Sequence, residues 1–123
     1  MRICVFGAGA IGGYMGVKLA EAGADVSLVA RGPHLAAMKS NGLRLVEETG
    51  ETTVTPTASN DPEDLGVQDY IIVTLKSHSV PAVVPKMAPL IGPNTTIVSG
   101  VNGVPWWYFY GVGGVLEGTR LAS

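Results

Sequence analysis

The chain has 123 residues, 46% of them hydrophobic, and 10 Asp and Glu against 8 Lys and Arg give a formal net charge of −2. That length is one domain, that balance offers no surface for nucleic acid or an anionic membrane, and no apolar run is long enough to span a bilayer. The single cysteine excludes an internal disulfide and fits a reducing compartment.

Met1-Arg2 leads directly into an apolar run, Ile3 to Phe6, which reads as a buried parallel strand. No signal peptide is expected before it, and the cytoplasm is the expected location. Cys4 sits mid-strand, as a small buried hydrophobe and not a nucleophile. Gly7-Ala8-Gly9-Ala10-Ile11-Gly12 follows, a G-x-G-x-x-G turn that opens a helix. Gly7 permits the tight turn, Gly9 lets the backbone approach a pyrophosphate, and Gly12 lets the helix pack closely on the strand. The free N–H groups of that helix start, at the positive end of its dipole, suit an anion. A glycine-rich turn without a ligand does not explain three glycines at this spacing, so a nucleotide site is expected here.

Along the helix, Ile11, Met15, Leu19 and Ala22 recur at helical spacing and are expected to face the sheet, with Lys18 and Glu21 in solvent. Gly23 is expected to end the helix as a left-handed cap. Val26 to Val29 form the second strand, which ends at Ala30-Arg31-Gly32-Pro33. An NAD-preferring site places Asp or Glu at this strand end to accept from the ribose 2′-hydroxyl. Asp25 stands at the wrong end of the strand, and Arg31 offers a guanidinium fork for a 2′-phosphate. NADP(H) is therefore the expected cofactor, against the plainer reading of Arg31 as a solvated arginine.

Pro33 and Asn41-Gly42 bound a short helix over roughly residues 33 to 41. Leu43 to Glu47 and Thr52 to Thr57 alternate about Thr49-Gly50 and read as a hairpin. Asn60-Asp61-Pro62-Glu63-Asp64 reads as a capped single helical turn. Tyr70 to Leu75 is a strand buried on both faces, ending at Lys76-Ser77-His78-Ser79. Residues 80 to 91 have a helical pattern but contain Pro81, Pro85 and Pro89, which predicts a kinked or broken helix. Thr95 to Val101 is read as another buried strand, ending at Asn102-Gly103, and an aromatic run, Pro105-Trp106-Trp107-Tyr108-Phe109-Tyr110, follows.

This order predicts an α/β fold, a doubly wound Rossmann-type parallel sheet spanning residues 1–123. Ligands of such sheets bind beyond the carboxyl ends of the strands, which places the chemistry at Gly7 to Gly12, Arg31, Lys76 to Ser79 and Val101 to Gly103. His34 reads as a surface or adenosine-side residue, and His78, though nearer, is not expected to be catalytic. No metal site is expected. The close of the sequence without a terminal element suggests a fragment or isolated domain lacking a substrate domain.

With these residues in view, the chain resembles the amino-terminal domain of the ketopantoate reductases (2-dehydropantoate 2-reductases). The resemblance covers nearly the whole chain and rests on Gly7-Ala8-Gly9-Ala10-Ile11-Gly12-Gly13, Val29-Ala30-Arg31, Val73-Thr74-Leu75-Lys76-Ser77 and Asn102-Gly103. It implies that Arg31 holds the NADP 2′-phosphate, that Lys76 lies beside cofactor and substrate, and that Asn102 contacts both. The implied reaction is hydride transfer from NADPH to the 2-keto group of a small branched keto acid, within pantothenate and coenzyme A synthesis. A nearby cation or amide donor would stabilise the alkoxide that forms. Two departures stand out: the family's lysine proton donor belongs to a helical second domain absent from this chain, and Val101 stands where many members have glutamine.

Lys76 is otherwise a solvated lysine and Asn102 a turn residue. The aromatic run is either core or a wall, with self-association through Trp106–Tyr110 favoured because so large an apolar patch rarely stays exposed on a monomer. Two further functions compete with the reductase: a stand-alone nucleotide-binding regulatory module without catalysis, and an NADP-dependent reductase of another substrate.

Overall fold

A computed structural model describes residues 1–105 and 107–120. Five strands form one parallel sheet: β1 (Arg2–Phe6), β2 (Asp25–Val29), β5 (Thr57–Ser59), β6 (Tyr70–Val73) and β7 (Thr96–Ser99). Their spatial order is β5-β2-β1-β6-β7, so the chain reverses direction beside the first strand, as in a Rossmann-type α/β sheet. Parallel pairing brings Ser59, Val29, Phe6, Val73 and Ser99 into one row across the sheet. The turns that follow this row share one edge of the domain.

Pleating sends alternate residues of β1 to opposite faces. Cys4 and Phe6 join Leu65, Ile71, Val73, Met87 and Leu90 in one buried cluster. Val5 joins Val26, Leu28, Ala30 and Met38 in the other. Burial pushes the Cys4 thiol up to about 11, partly offset by its hydrogen bond with Ser27, so the thiol is inert core at neutral pH.

Helix α1 (Ala10–Glu21) differs from the sequence expectation in the face it buries. Gly12, Gly16 and Val17 are buried, whereas Ile11 is 60% exposed and Ala22 is also exposed. Helical periodicity selects the larger apolar residues, but where α1 meets the glycine turn there is no room for a side chain at Gly12. A Cβ on Gly12 would collide with the Gly7 carbonyl oxygen and stand 2.5 Å from Thr74 Oγ1. Leu19 does pack against the core, and Gly23 (φ +84°) ends the helix as expected.

Helix α2 (Gly32–Asn41) starts with proline in its first turn. The hairpin forms from β3 (Leu43–Glu47) and β4 (Gly50–Val54), and it stops earlier than its alternation suggests. Pro56 has no N–H for a ladder, so the pairing ends and Thr57–Ser59 begins a separate strand beside β2. The hairpin docks on α1 through Lys18 Nζ to Glu47 Oε2 (2.6 Å) and Thr52 Oγ1 to Glu21 Oε1 (3.1 Å). Asp61 caps the single turn Pro62–Leu65 by accepting from the Glu63 N–H at 3.0 Å, as the sequence predicts.

The proline-rich segment is broken. A 3-10 turn (Ser77–Ser79) leads into four residues of helix, α3 (Val80–Val83), and then into a 3-10 stretch (Val84–Leu90). β7 departs from expectation too, since all four of its residues are exposed, Ile97 at 51%. It is an edge strand, and among the described residues it pairs with β6 alone.

The aromatic segment is not core. Trp107, Tyr108 and Tyr110 are exposed and Phe109 is partly buried, meeting Tyr108 edge-to-face at 5.2 Å; Trp106 lies outside the described residues. The glycine-rich loop after it folds around a carboxylate: Glu117 accepts from the Gly111 N–H at 2.8 Å and the Gly113 N–H at 2.6 Å. These bonds hold Glu117 below the usual carboxylate range. A carboxyl whose folded pKa is depressed stabilises the loop above its unfolded pKa, and that contribution is lost as pH falls through the depressed value. In an acid titration followed by NMR, the Gly111 and Gly113 amides should therefore move with a midpoint below that of an ordinary glutamate. A midpoint at the ordinary value would show that the carboxylate is not held.

Candidate active site

A cleft of about 310 Å³ opens at the carboxyl ends of the strands. Phe6, Val29, Ala30 and Leu75 line it together with Gly7, Ala8 and Gly9 of the glycine turn. Arg31 and His34 stand on the side reached from β2, with Asn60 and Pro62 after β5. Ser79, Val83 and Lys86 stand on the side reached from β6.

The glycine turn is held by its neighbours. The Gly7 N–H donates to the Val29 carbonyl at 3.2 Å, and Thr74 Oγ1 donates to the Gly7 carbonyl at 2.6 Å. Gly7 has φ +114°, a conformation that L side chains rarely adopt, and its own Cβ would stand 2.7 Å from Leu75 Cδ2. At Gly9, by contrast, a Cβ would meet nothing within 4 Å. That open strip lies where a phosphate chain would cross to the start of α1. No side chain caps α1 and no acid stands in its first turn, so the N–H groups at Ala10, Ile11 and Gly12 are left for an anion.

None of the described residues lining the cleft is Asp or Glu. Arg31, in extended conformation at the N-cap of α2, is exposed and makes no ion pair among the described residues. Asp25 stands four residues before Val29, roughly 13 Å away along the strand, and its carboxylate lies 3.9 Å from Arg2 instead. The donor set thus fits a phosphate-bearing dinucleotide: open backbone at Gly9, a bare helix start, and a cation without a competing carboxylate. Among the described residues, no cluster of three or more His, Cys, Asp and Glu could hold a metal ion. No helix among them is long and apolar enough to cross a membrane.

Of the residues singled out in the sequence, the cleft gathers Gly7, Ala8, Gly9, Arg31, His34 and, from the Lys76 to Ser79 stretch, Ser79. Gly12 acts beneath it through helix packing, and Ala10 and Ile11 stand exposed on the first turn of α1. Lys76 and Asn102 follow β6 and β7, whose ends pair as Val73 and Ser99, so both leave the same edge of the sheet. Both are exposed, and neither lines the cleft. Asn60, Val83 and Lys86 were missed. Asn60 was read only as part of a capped turn, and Val83 and Lys86 were hidden because prolines interrupt the segment that carries them.

The chain matches the family model described as ketopantoate reductase PanE/ApbA over residues 3–105. It is 55% identical over 122 residues to a 2-dehydropantoate 2-reductase of Mesorhizobium japonicum, covering 98% of this chain and 37% of that protein. Among solved structures it is similar to a protein assigned to the ketopantoate reductases from Ralstonia solanacearum MolK2. That likeness has a TM-score of 0.89 and 47% identity, over 98% of this chain and 37% of that one. It is also similar to a D-mandelate dehydrogenase solved with NADH and anilino(oxo)acetate, at a TM-score of 0.79 and 25% identity, over 85% of this chain and 34% of that one. The chain thus spans little more than a third of the length of these relatives.

Proposed function

Because the chain belongs to the PanE/ApbA ketopantoate reductase family, we propose that it is the NADPH-binding domain of a 2-keto acid reductase acting on 2-dehydropantoate. The observation that carries this reading is the cleft itself: an open glycine turn and Arg31, with no carboxylate among the described residues that line it. The N–H groups at the start of α1 would hold the pyrophosphate, and Arg31 the 2′-phosphate of the adenosine ribose. The bound cofactor supplies the hydride that reduces the keto carbon. Lys76 and Asn102, on the turns after β6 and β7, would donate to the keto oxygen as alkoxide charge develops there. The proton that completes the alcohol is assigned to no residue of this chain. The reduction is accordingly proposed for a protein of the relatives' length.

A second reading, a reductase of another substrate, has one observation in its favour: a neighbour of similar fold is a D-mandelate dehydrogenase. Titration of the chain with each cofactor tests the NADPH assignment, and keto acid turnover by a protein of the relatives' length separates the two substrates. NADPH should bind more tightly than NADH by about tenfold or more, as a charge-assisted phosphate contact allows. Equal affinities would remove the basis of the NADPH assignment.

A further inference from the structure

Across the cleft from Arg31 the proline-broken segment carries a second cation. Ser79, Val83 and Lys86 are spaced by four and three residues, so one face of the segment lines the cleft although α3 itself stops at Val83. Val83 also packs against the core beneath, which fixes how that face is presented. Lys86 is exposed and makes no ion pair among the described residues, whereas Arg2, Lys18 and Arg44 each meet a carboxylate. The segment follows β6 and Arg31 follows β2, and these strands flank β1 on its two sides. A phosphate monoester carries about −1.5 to −2 charge at neutral pH, which one guanidinium leaves partly uncompensated. An ammonium on the β6 side and a guanidinium on the β2 side, each without an ion pair among the described residues, line a cleft with no acid among those residues and match that charge.

Resting on the cofactor reading above, we propose that Lys86 is a second selectivity residue of the cleft. Arg31 and Lys86 hold the 2′-phosphate from its two sides and share the discrimination against an unphosphorylated ribose. Lysine suits the role as a point charge on a flexible stem, beside the directional fork of the arginine.

The test is calorimetric titration of the chain and its Lys86→Gln, Lys86→Arg and Arg31→Ala variants with NADPH, NADH and 2′,5′-ADP. Lys86→Gln should weaken NADPH and 2′,5′-ADP by about threefold to tenfold, the scale of a partly exposed charge contact, and leave NADH unchanged. The loss should shrink as salt is raised, and Lys86→Arg should retain most of the affinity. An equal loss for NADPH and NADH would place Lys86 on the shared pyrophosphate and overturn the proposal. So would an unchanged NADPH affinity in Lys86→Gln while Arg31→Ala weakens it, an outcome that leaves the cofactor reading intact. Unmutated chain that binds both cofactors equally would overturn the cofactor reading, and the proposal with it.

Discussion

Gly12→Ala should lower the thermal midpoint of the chain by roughly 10 °C and abolish measurable cofactor binding along with it. The added methyl collides with the Gly7 carbonyl oxygen and presses on Thr74 Oγ1, the group that donates to that same carbonyl at 2.6 Å. Both obstacles are part of the turn, so α1 must lift away from β1 or the turn must open. Overpacking of this kind costs about 1–3 kcal/mol, and losing the Thr74 bond about 1 more. At about 4 °C per kcal/mol for a domain of this size, the shift is of the stated order. Gly9→Ala is the control, because its methyl enters space empty to 4 Å. That variant should melt with the unmutated chain yet bind cofactor poorly. A Gly12→Ala chain that melted unchanged would show that the helix is not seated on the turn as described.

Arg31→Ala should remove most of the preference for NADPH over NADH. The guanidinium stands at the rim of a cleft lined by no acid and makes no ion pair among the described residues, so its charge is available to a phosphate. A hydrogen bond to a charged group contributes about 1.5–3 kcal/mol, which corresponds to roughly tenfold to a hundredfold in affinity. NADH lacks the phosphate and should lose little. Fluorescence titration with both cofactors measures the ratio, and a variant that kept its preference would assign the 2′-phosphate elsewhere.

Short-range features were the readable ones. The glycine turn, the cap at Gly23, the capped turn at Asp61 and the break among Pro81, Pro85 and Pro89 each rest on backbone constraints that act within a few residues. Burial was harder to read. Ile11 and Ala22 were expected to face the sheet because periodicity counts hydrophobicity, whereas the interface of α1 is set by how near two backbones come. The exposed β7 carries the same lesson in reverse: Ile97 and Val98 have the composition of a buried strand, but burial depends on what lies over them.

By itself the sequence determined the alternation of strands and helices apart from β5, the glycine turn at Gly7 to Gly12, and the basic end of β2 at Arg31. Those follow from residue type and local spacing, because φ preferences, missing N–H donors and fixed charges belong to the chain wherever it goes. Only the tertiary structure decided that Thr57–Ser59 leaves the hairpin to join β2. It alone brought Asn60 and Lys86, separated by 26 positions, to the cleft that Arg31 enters. Parallel pairing is non-local, so the row from Ser59 to Ser99 exists only once β1 has taken β2 and β6 as neighbours and aligned the turns that follow.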